Sequence, residues 1–267
     1  MPRRVPEASE HTATLGDQPV FWRSGDSRSG TSGAPVLYLH GVPDSSDQWV
    51  PFLQRTGGLA PDLPGFGRSG KSGGNDYTIE GYARFVEAFL ALAGVERVRL
   101  VVHDWGAAGL AWAQRSPERV ERLVVMNAVP LLPGYRWHRT ARAWRAPAVG
   151  EGVMGATTRW ALRRAMPRPL ADASWRHFDQ GTQRAILRLY RSSGEDRLAA
   201  AGARLGDIRA PALVLWGDRD PFVPPRFADG YAAVLGDARA EHLPDAGHWP
   251  WYDRPDVIDR VAAFLGG

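Results

Sequence analysis

The stretch Val98–Gly106, reading VRLVVHDWG, constrains this chain most. Val98, Leu100, Val101 and Val102 make a short apolar run of the kind a buried strand needs. The run stops at His103-Asp104-Trp105-Gly106, and Ala107–Ala113 then reads as a helix. Asp104 therefore falls on a sharp strand-to-helix turn. Aspartate is a favoured N-cap, so one reading is an acid that caps the next helix. The other is chemical: a carboxylate held at a strand tip can displace a leaving group at a saturated carbon.

Length and composition bound the alternatives. A chain of 267 residues is one large domain, or a core with an insert, and buries a substantial core. It has no cysteine, which removes disulfides and thiol chemistry. No apolar run approaches membrane-span length and no signal-peptide core follows Met1-Pro2-Arg3-Arg4, so a soluble, cytoplasmic protein is expected. The net charge of +4 rests almost wholly on arginine, because Lys71 is the only lysine. Nothing resembles a nucleic-acid motif. A small-molecule partner is expected, with the chain a monomer or homodimer.

Periodicity lays out the rest. Residues 1–10 read as a loose arm, His11–Arg23 as a hairpin turning near Gly16-Asp17, and Ser24–Ala34 as a Gly/Ser loop. Val36–Leu39 is a strand that ends in His40-Gly41-Val42-Pro43-Asp44. Ser45-Ser46-Asp47 caps a helix to about Arg55, and Leu59–Asp62 is a short strand. Gly65, Gly67 and Gly70 fit G-x-G-x-x-G, but the loop continues where a dinucleotide site requires a helix. Helical spacing runs from Thr78 to Ala93 and is closed by Gly94. Val120–Ala128, Pro211–Trp216 and Ala238–Leu243 read as strands; Arg226–Leu235 and Val257–Leu265 read as helices. Leu131–Arg197 differs in character, with thirteen arginines against five acids and four of the eleven tryptophans. Those arginines read as a solvated face, and most of Trp137, Trp144, Trp160 and Trp175 as core of a small helical unit.

The Asp104 turn resembles the nucleophile elbow of α/β-hydrolases. That elbow usually carries serine; HDWG is similar to its aspartate form in epoxide hydrolases and haloalkane dehalogenases. HGVP resembles the HGxP loop of the same enzymes, which implies an oxyanion hole built from the backbone N–H groups of Val42 and Trp105. DLPGFGRS is similar to a further loop of the superfamily. Gly217-Asp218-Arg219-Asp220-Pro221 resembles its acid loop, implying Asp220 as the acid and Asp218 as a spare. One relative places the acid near Asn127, where an amide cannot serve. His248, in a Gly-flanked loop after the acid loop, is the implied base; His103 reads as a support at the elbow and His242 as a strand residue. Nucleophile, acid and base then follow the superfamily order Asp104, Asp220, His248.

The resemblance implies a mostly parallel, eight-stranded α/β-hydrolase sheet with helices on both faces. The core would comprise residues 1–129 and 198–267, with a helical cap at 130–197. Leu187–Arg191 is similar to the cap segment that carries a substrate-protonating tyrosine in epoxide hydrolases, implying that role for Tyr190. Tyr135 is the only tyrosine in the first half of the cap, and it is out of register with the family's second one. Expected substrate contacts are His40, Trp105, Tyr135, Trp137, Trp144 and Trp249. Neither metal nor organic cofactor is implied. The expected activity is epoxide hydrolysis. Haloalkane dehalogenation is the alternative, with the Trp105 indole holding the halide and a cap tryptophan supplying the second donor that Val42 cannot. A ligand-binding protein of the same fold with little turnover is the reading from another class.

Overall fold

The computed structural model describes residues 8–26 and 33–266. The chain opens with β1 (Ser9–Leu15) and β2 (Gln18–Gly25), a hairpin that closes on the Leu15–Gln18 pair. Gly16 takes the positive φ (64°) that a tight turn requires. β3 (Val36–Leu39) and β4 (Gly58–Pro61) flank α1 (Val50–Thr56), which follows a short 3-10 turn capped by the Ser45 side chain. α2 (Ile79–Leu92) begins at Thr78, whose side chain accepts from the Gly81 N–H. β5 (Val98–His103) leads through the elbow to α3 (Ala108–Ala113), and β6 (Val120–Met126) follows.

Six helices come next, before the sheet resumes: α4 (Arg139–Arg145), α5 (Val149–Gly155), α6 (Arg159–Ala165), α7 (Arg168–Trp175), α8 (Gln180–Ser192) and α9 (Glu195–Ala201). β7 (Pro211–Gly217), α10 (Arg226–Val234), β8 (Asp237–Leu243), α11 (Pro250–Asp253) and α12 (Asp256–Gly266) complete the chain.

The sheet order is β1-β2-β4-β3-β5-β6-β7-β8. β1, β2 and β4 pair antiparallel, and every pair from β4 to β8 is parallel. Parallel strands are covered on both faces, which is why β3 and β5 are buried at every position. Alternate side chains split the core in two. Leu37, Leu39, Leu100, Val102 and Val125 pack with α2, α3 and α10. Val36, Tyr38, Val101, Val124 and Leu213 pack with Trp49, Phe52 and the Val257, Val261 and Leu265 stripe of α12.

The structure shifts some boundaries. Ser9 and Glu10 belong to β1 and Ser24 and Gly25 to β2, so the expected arm and loop are shorter than read. Of what remains of them, residues 1–7 and 27–32 lie outside the described residues. β6 stops at Met126 because Asn127 turns to φ 38°. α9 runs across residue 197, where the helical insert was expected to end. Trp160 is exposed (67%), and Trp175 stacks on Phe178. Among the described residues, no helix is long and apolar enough to cross a membrane.

Candidate active site

Asp104 sits at the tip of β5 with φ 48°, a left-handed conformation that a non-glycine residue holds only when its surroundings impose it. Two glycines make room. A Cβ on Gly106 would come within 2.2 Å of the Leu39 carbonyl oxygen, and one on Gly41 within 2.5 Å of the Asp104 carboxyl. The loop after β3 can therefore lie directly against the elbow. Its Val42 N–H donates to Asp104 Oδ2 at 2.8 Å, and the Trp105 N–H supports the same carboxyl. Both backbone donors expected from the resemblance thus converge on one carboxylate. Burial pushes the Asp104 carboxyl above its ordinary range, while the nearby His248 and these two N–H groups pull the other way.

His248 stands over the other carboxylate oxygen, with Nε2 3.8 Å from Asp104 Oδ1. Its Nδ1 donates to Asp220 Oδ2 at 2.6 Å. Asp220 Oδ1 accepts the N–H groups of Phe222 (2.7 Å) and Val223 (3.0 Å), which fixes the carboxyl plane. Burial opposes the imidazolium, but Asp220, then Asp104 and Asp44, outweigh it and hold His248 above its ordinary pKa. Asp218, the spare acid, pairs instead with His242 at 2.7 Å, away from these groups. Asn127 is more than a missing acid. Its amide donates to Asp220 Oδ2 at 2.7 Å, and its oxygen accepts the Gly217 N–H at 2.9 Å. His103 supports the base loop: its Nε2 meets the His248 carbonyl at 2.8 Å, and burial keeps it neutral.

A cavity of about 460 Å³ opens in front of Asp104 and His248. Its wall combines Val42, Asp104, Phe222, His248 and Trp249 with Tyr135, Trp137, Trp144, Ile186 and Tyr190 from the insert and the segment leading to it. Thr140, Val153, Ala156 and Ala165 line it and are also exposed, which puts the mouth among α4, α5 and α6. Tyr190 packs edge-on against Trp105 and Trp144, each with centroids 5.0 Å apart. Burial, followed by the Asp104 charge, raises both the Tyr190 and the Tyr135 phenol above the ordinary range, so each keeps its proton.

Two expected contacts move. His40 is fully buried outside the cavity wall; it donates from Nδ1 to the Gly41 carbonyl (2.7 Å) and accepts the Leu63 N–H at Nε2 (2.8 Å). It is a brace between two loops, not a substrate contact. Trp105 also lies outside the wall, with Trp137 stacked on it at 5.5 Å and Tyr190 beside it. Its indole N–H is directed at the Tyr190 hydroxyl, that of Trp144 has no hydrogen-bond partner among the described residues, and Trp137 and Trp249 use theirs on Ser193 and Asp44. The sequence reading missed His138, Phe222 and Asp44. His138 lines the cavity and is held neutral by burial, with its pKa lowered to about 4. The signal for Asp44 was its place directly after HGVP, inside a motif read only for its backbone. Among the described residues, no group of three His, Cys, Asp or Glu side chains is placed to hold a metal ion.

A carboxylate on a strained turn, two backbone N–H groups directed at it and an imidazole oriented by a second carboxylate define an α/β-hydrolase type of site on an α/β-hydrolase type of sheet. The alpha/beta hydrolase family profile matches residues 36–261, and the chain belongs to that family. A haloalkane dehalogenase of Mesorhizobium japonicum is 31% identical over 88% of this chain and 85% of its own length. The crystal structure of the haloalkane dehalogenase DbeA from Bradyrhizobium elkani superposes with a TM-score of 0.83 at 26% identity, covering 97% of this chain and 98% of that one. The epoxide hydrolase CorEH has a TM-score of 0.81 at 19% identity over 97% of this chain and 99% of its own, a likeness of fold.

Proposed function

We propose that this hydrolase opens epoxides through an ester on Asp104. Tyr190 carries the reading: a phenol that keeps its proton shares a cavity with the candidate nucleophile. Asp104 Oδ2 is engaged by the Val42 N–H, which leaves Oδ1 to attack. Attack forms the Oδ1–carbon bond as the ring C–O bond breaks, and the leaving oxygen takes the proton of Tyr190. Tyr135 is a second phenol within the same wall, its hydroxyl donating to the Phe222 carbonyl at 3.4 Å. His248 Nε2 then takes a proton from water, and the resulting hydroxide adds to the Asp104 carboxyl carbon. The N–H groups of Val42 and Trp105 stabilise the oxyanion on Oδ2, an effect of about 3 kcal/mol per donor in a comparable site. Collapse breaks the ester C–O bond, releases the diol and restores the carboxylate, and the proton held by His248 returns to the Tyr190 phenolate. Residues 130–197 act as the cap, closing an apolar cavity whose size suits a medium-sized epoxide.

The second reading, haloalkane dehalogenation, has two observations in its favour. Relatives that cover most of this chain carry that name. Among the described residues the indole N–H of Trp144, in the cavity wall, has no hydrogen-bond partner, and a halide accepts from such a donor. The same Asp104 ester and His248 hydrolysis serve either leaving group. One preparation assayed for diol from epoxides and for halide from haloalkanes separates the two readings. Tyr190→Phe should slow epoxide opening by about 10²–10⁴. Halide release without diol, or epoxide opening indifferent to Tyr190→Phe, selects the dehalogenase. Binding without turnover of either substrate class selects the ligand-binding alternative.

A further inference from the structure

Asp44 is buried (1%) and takes part in none of the steps above, yet its carboxyl joins three distant stretches of chain. Oδ2 accepts the indole N–H of Trp249 at 2.9 Å, 205 residues away in sequence. Oδ1 accepts the hydroxyl of Ser174 at 2.9 Å, 130 residues away on α7 of the insert. Trp249 is the neighbour of His248 in the base loop, and its ring stands at 90° to the imidazole with centroids 4.6 Å apart. It also forms part of the cavity wall. A buried carboxyl is costly unless its partners need it, and burial pushes this one up to about 7. Apolar packing would fill the same volume without that cost. What a carboxyl adds is two directed acceptors at fixed spacing, one aimed at the base loop and one at the insert.

We propose that Asp44 is a positioning residue that holds Trp249 against His248 and makes that contact depend on the seating of the helical insert. The indole forms one face of the slot in which the imidazole sits, so its placement sets the line from Nε2 to the Asp104 ester. Seating of α7 delivers the Ser174 hydroxyl, and the same carboxyl then orients the base. Water activation is thereby favoured when the insert covers the cavity. This rests on the assignment of Asp104 as nucleophile and His248 as base.

The test separates the two chemical steps in the full-length protein. Rapid-quench intact mass follows ester formation on Asp104 and its loss, with a turned-over epoxide or haloalkane as probe. Asp44→Ala should slow ester loss by on the order of 10²-fold, the scale of an ångström-level misplacement, while ester formation changes far less. Asp44→Asn should recover ester loss, because its oxygen can accept from Trp249 while its amide donates to Ser174. Ser174→Ala should slow the same step as Asp44→Ala. If Asp44→Ala does not fold, Asp44→Asn and Ser174→Ala carry the test. Equal slowing of both steps, an Asp44→Asn variant as slow as Asp44→Ala, or a Ser174→Ala variant with wild-type ester loss each overturn the proposal. A wild-type enzyme that never forms the Asp104 ester sinks the catalytic reading itself, and the proposal with it.

Discussion

Replacing Asp220 with asparagine tests the acid, and the geometry sets the size of the effect. In the native site Oδ1 is fixed by two backbone N–H groups, and Oδ2 receives both His248 Nδ1 and the Asn127 amide. In Asp220→Asn the backbone donors keep the remaining oxygen, so the new amide nitrogen faces two donors. The imidazole escapes that clash only by moving its proton to Nε2, the atom that must accept from water. A comparable tautomer trap in a serine protease lowers kcat by about 10⁴, or about 5.4 kcal/mol. Ester formation does not need the base, so the variant should form the Asp104 ester and stall. Asn127→Asp added to Asp220→Asn relieves the clash across the 2.7 Å gap to residue 127 but leaves the amide nitrogen facing His248 Nδ1, so the double variant should stay as slow as Asp220→Asn. The assay is the rate of ester loss after a single mixing, with circular dichroism to confirm the fold. Ester loss within tenfold of wild type in Asp220→Asn would refute the assignment.

Two further substitutions probe the walls around Asp104. Gly41→Ala places a methyl carbon 2.5 Å from the Asp104 carboxyl, so it should displace the nucleophile and cut ester formation by about 10² while the far core stays folded; unchanged single-turnover kinetics would show that the loop yields freely. Ala165→Phe adds bulk at the mouth, where Ala165 is both exposed and part of the wall. It should raise KM for long substrates while sparing the shortest ones, and a uniform effect across chain lengths would place the route elsewhere.

What the sequence made legible was local. The elbow and the acid loop each end a short apolar run, the His248 loop follows a polar edge strand with Pro and Gly of its own, and a strand followed by a turn can be read within ten residues. The parallel order of β3 to β8 follows from such runs alternating with helical spacing. What stayed hidden depends on pairs far apart in the chain. His40 looked like a site residue because it opens HGVP, but its ring is spent on Gly41 and on Leu63, 23 residues away. Asn127 could be excluded as an acid from its side chain alone; its bond to Asp220 spans 93 residues and has no local trace. Tyr135 was out of register by linear spacing, yet the segment after β6 carries it into the same wall as Tyr190. Trp105 shows the converse: its motif identity was plain, but Trp137 and Tyr190 from elsewhere in the chain decide that it stands behind the wall.

Under the proposed mechanism, the charges around His248 imply that its basicity changes during turnover. Burial disfavours the imidazolium, and three carboxyls oppose it, Asp220 most strongly, then Asp104 and Asp44. Together they raise the free-enzyme pKa above the model-peptide value of about 6.5. Esterification removes the Asp104 charge. A nearby carboxylate raises an imidazole pKa by stabilising the charged form, so its loss must lower that pKa. The base therefore becomes easier to deprotonate once the ester exists, which is when a neutral Nε2 is required. Two measurements read this directly. NMR titration of His248 in the free enzyme should give a pKa above about 6.5. The rate of ester loss should rise with pH through a lower pKa, because it reports the imidazole beside a neutral ester. Below that lower pKa the base is protonated and the ester should persist, so acid quenching ought to trap it. An ascending limb for ester loss at or above the free-enzyme titration would show that Asp104 does not tune the base, and would break the electrostatic link between the two steps.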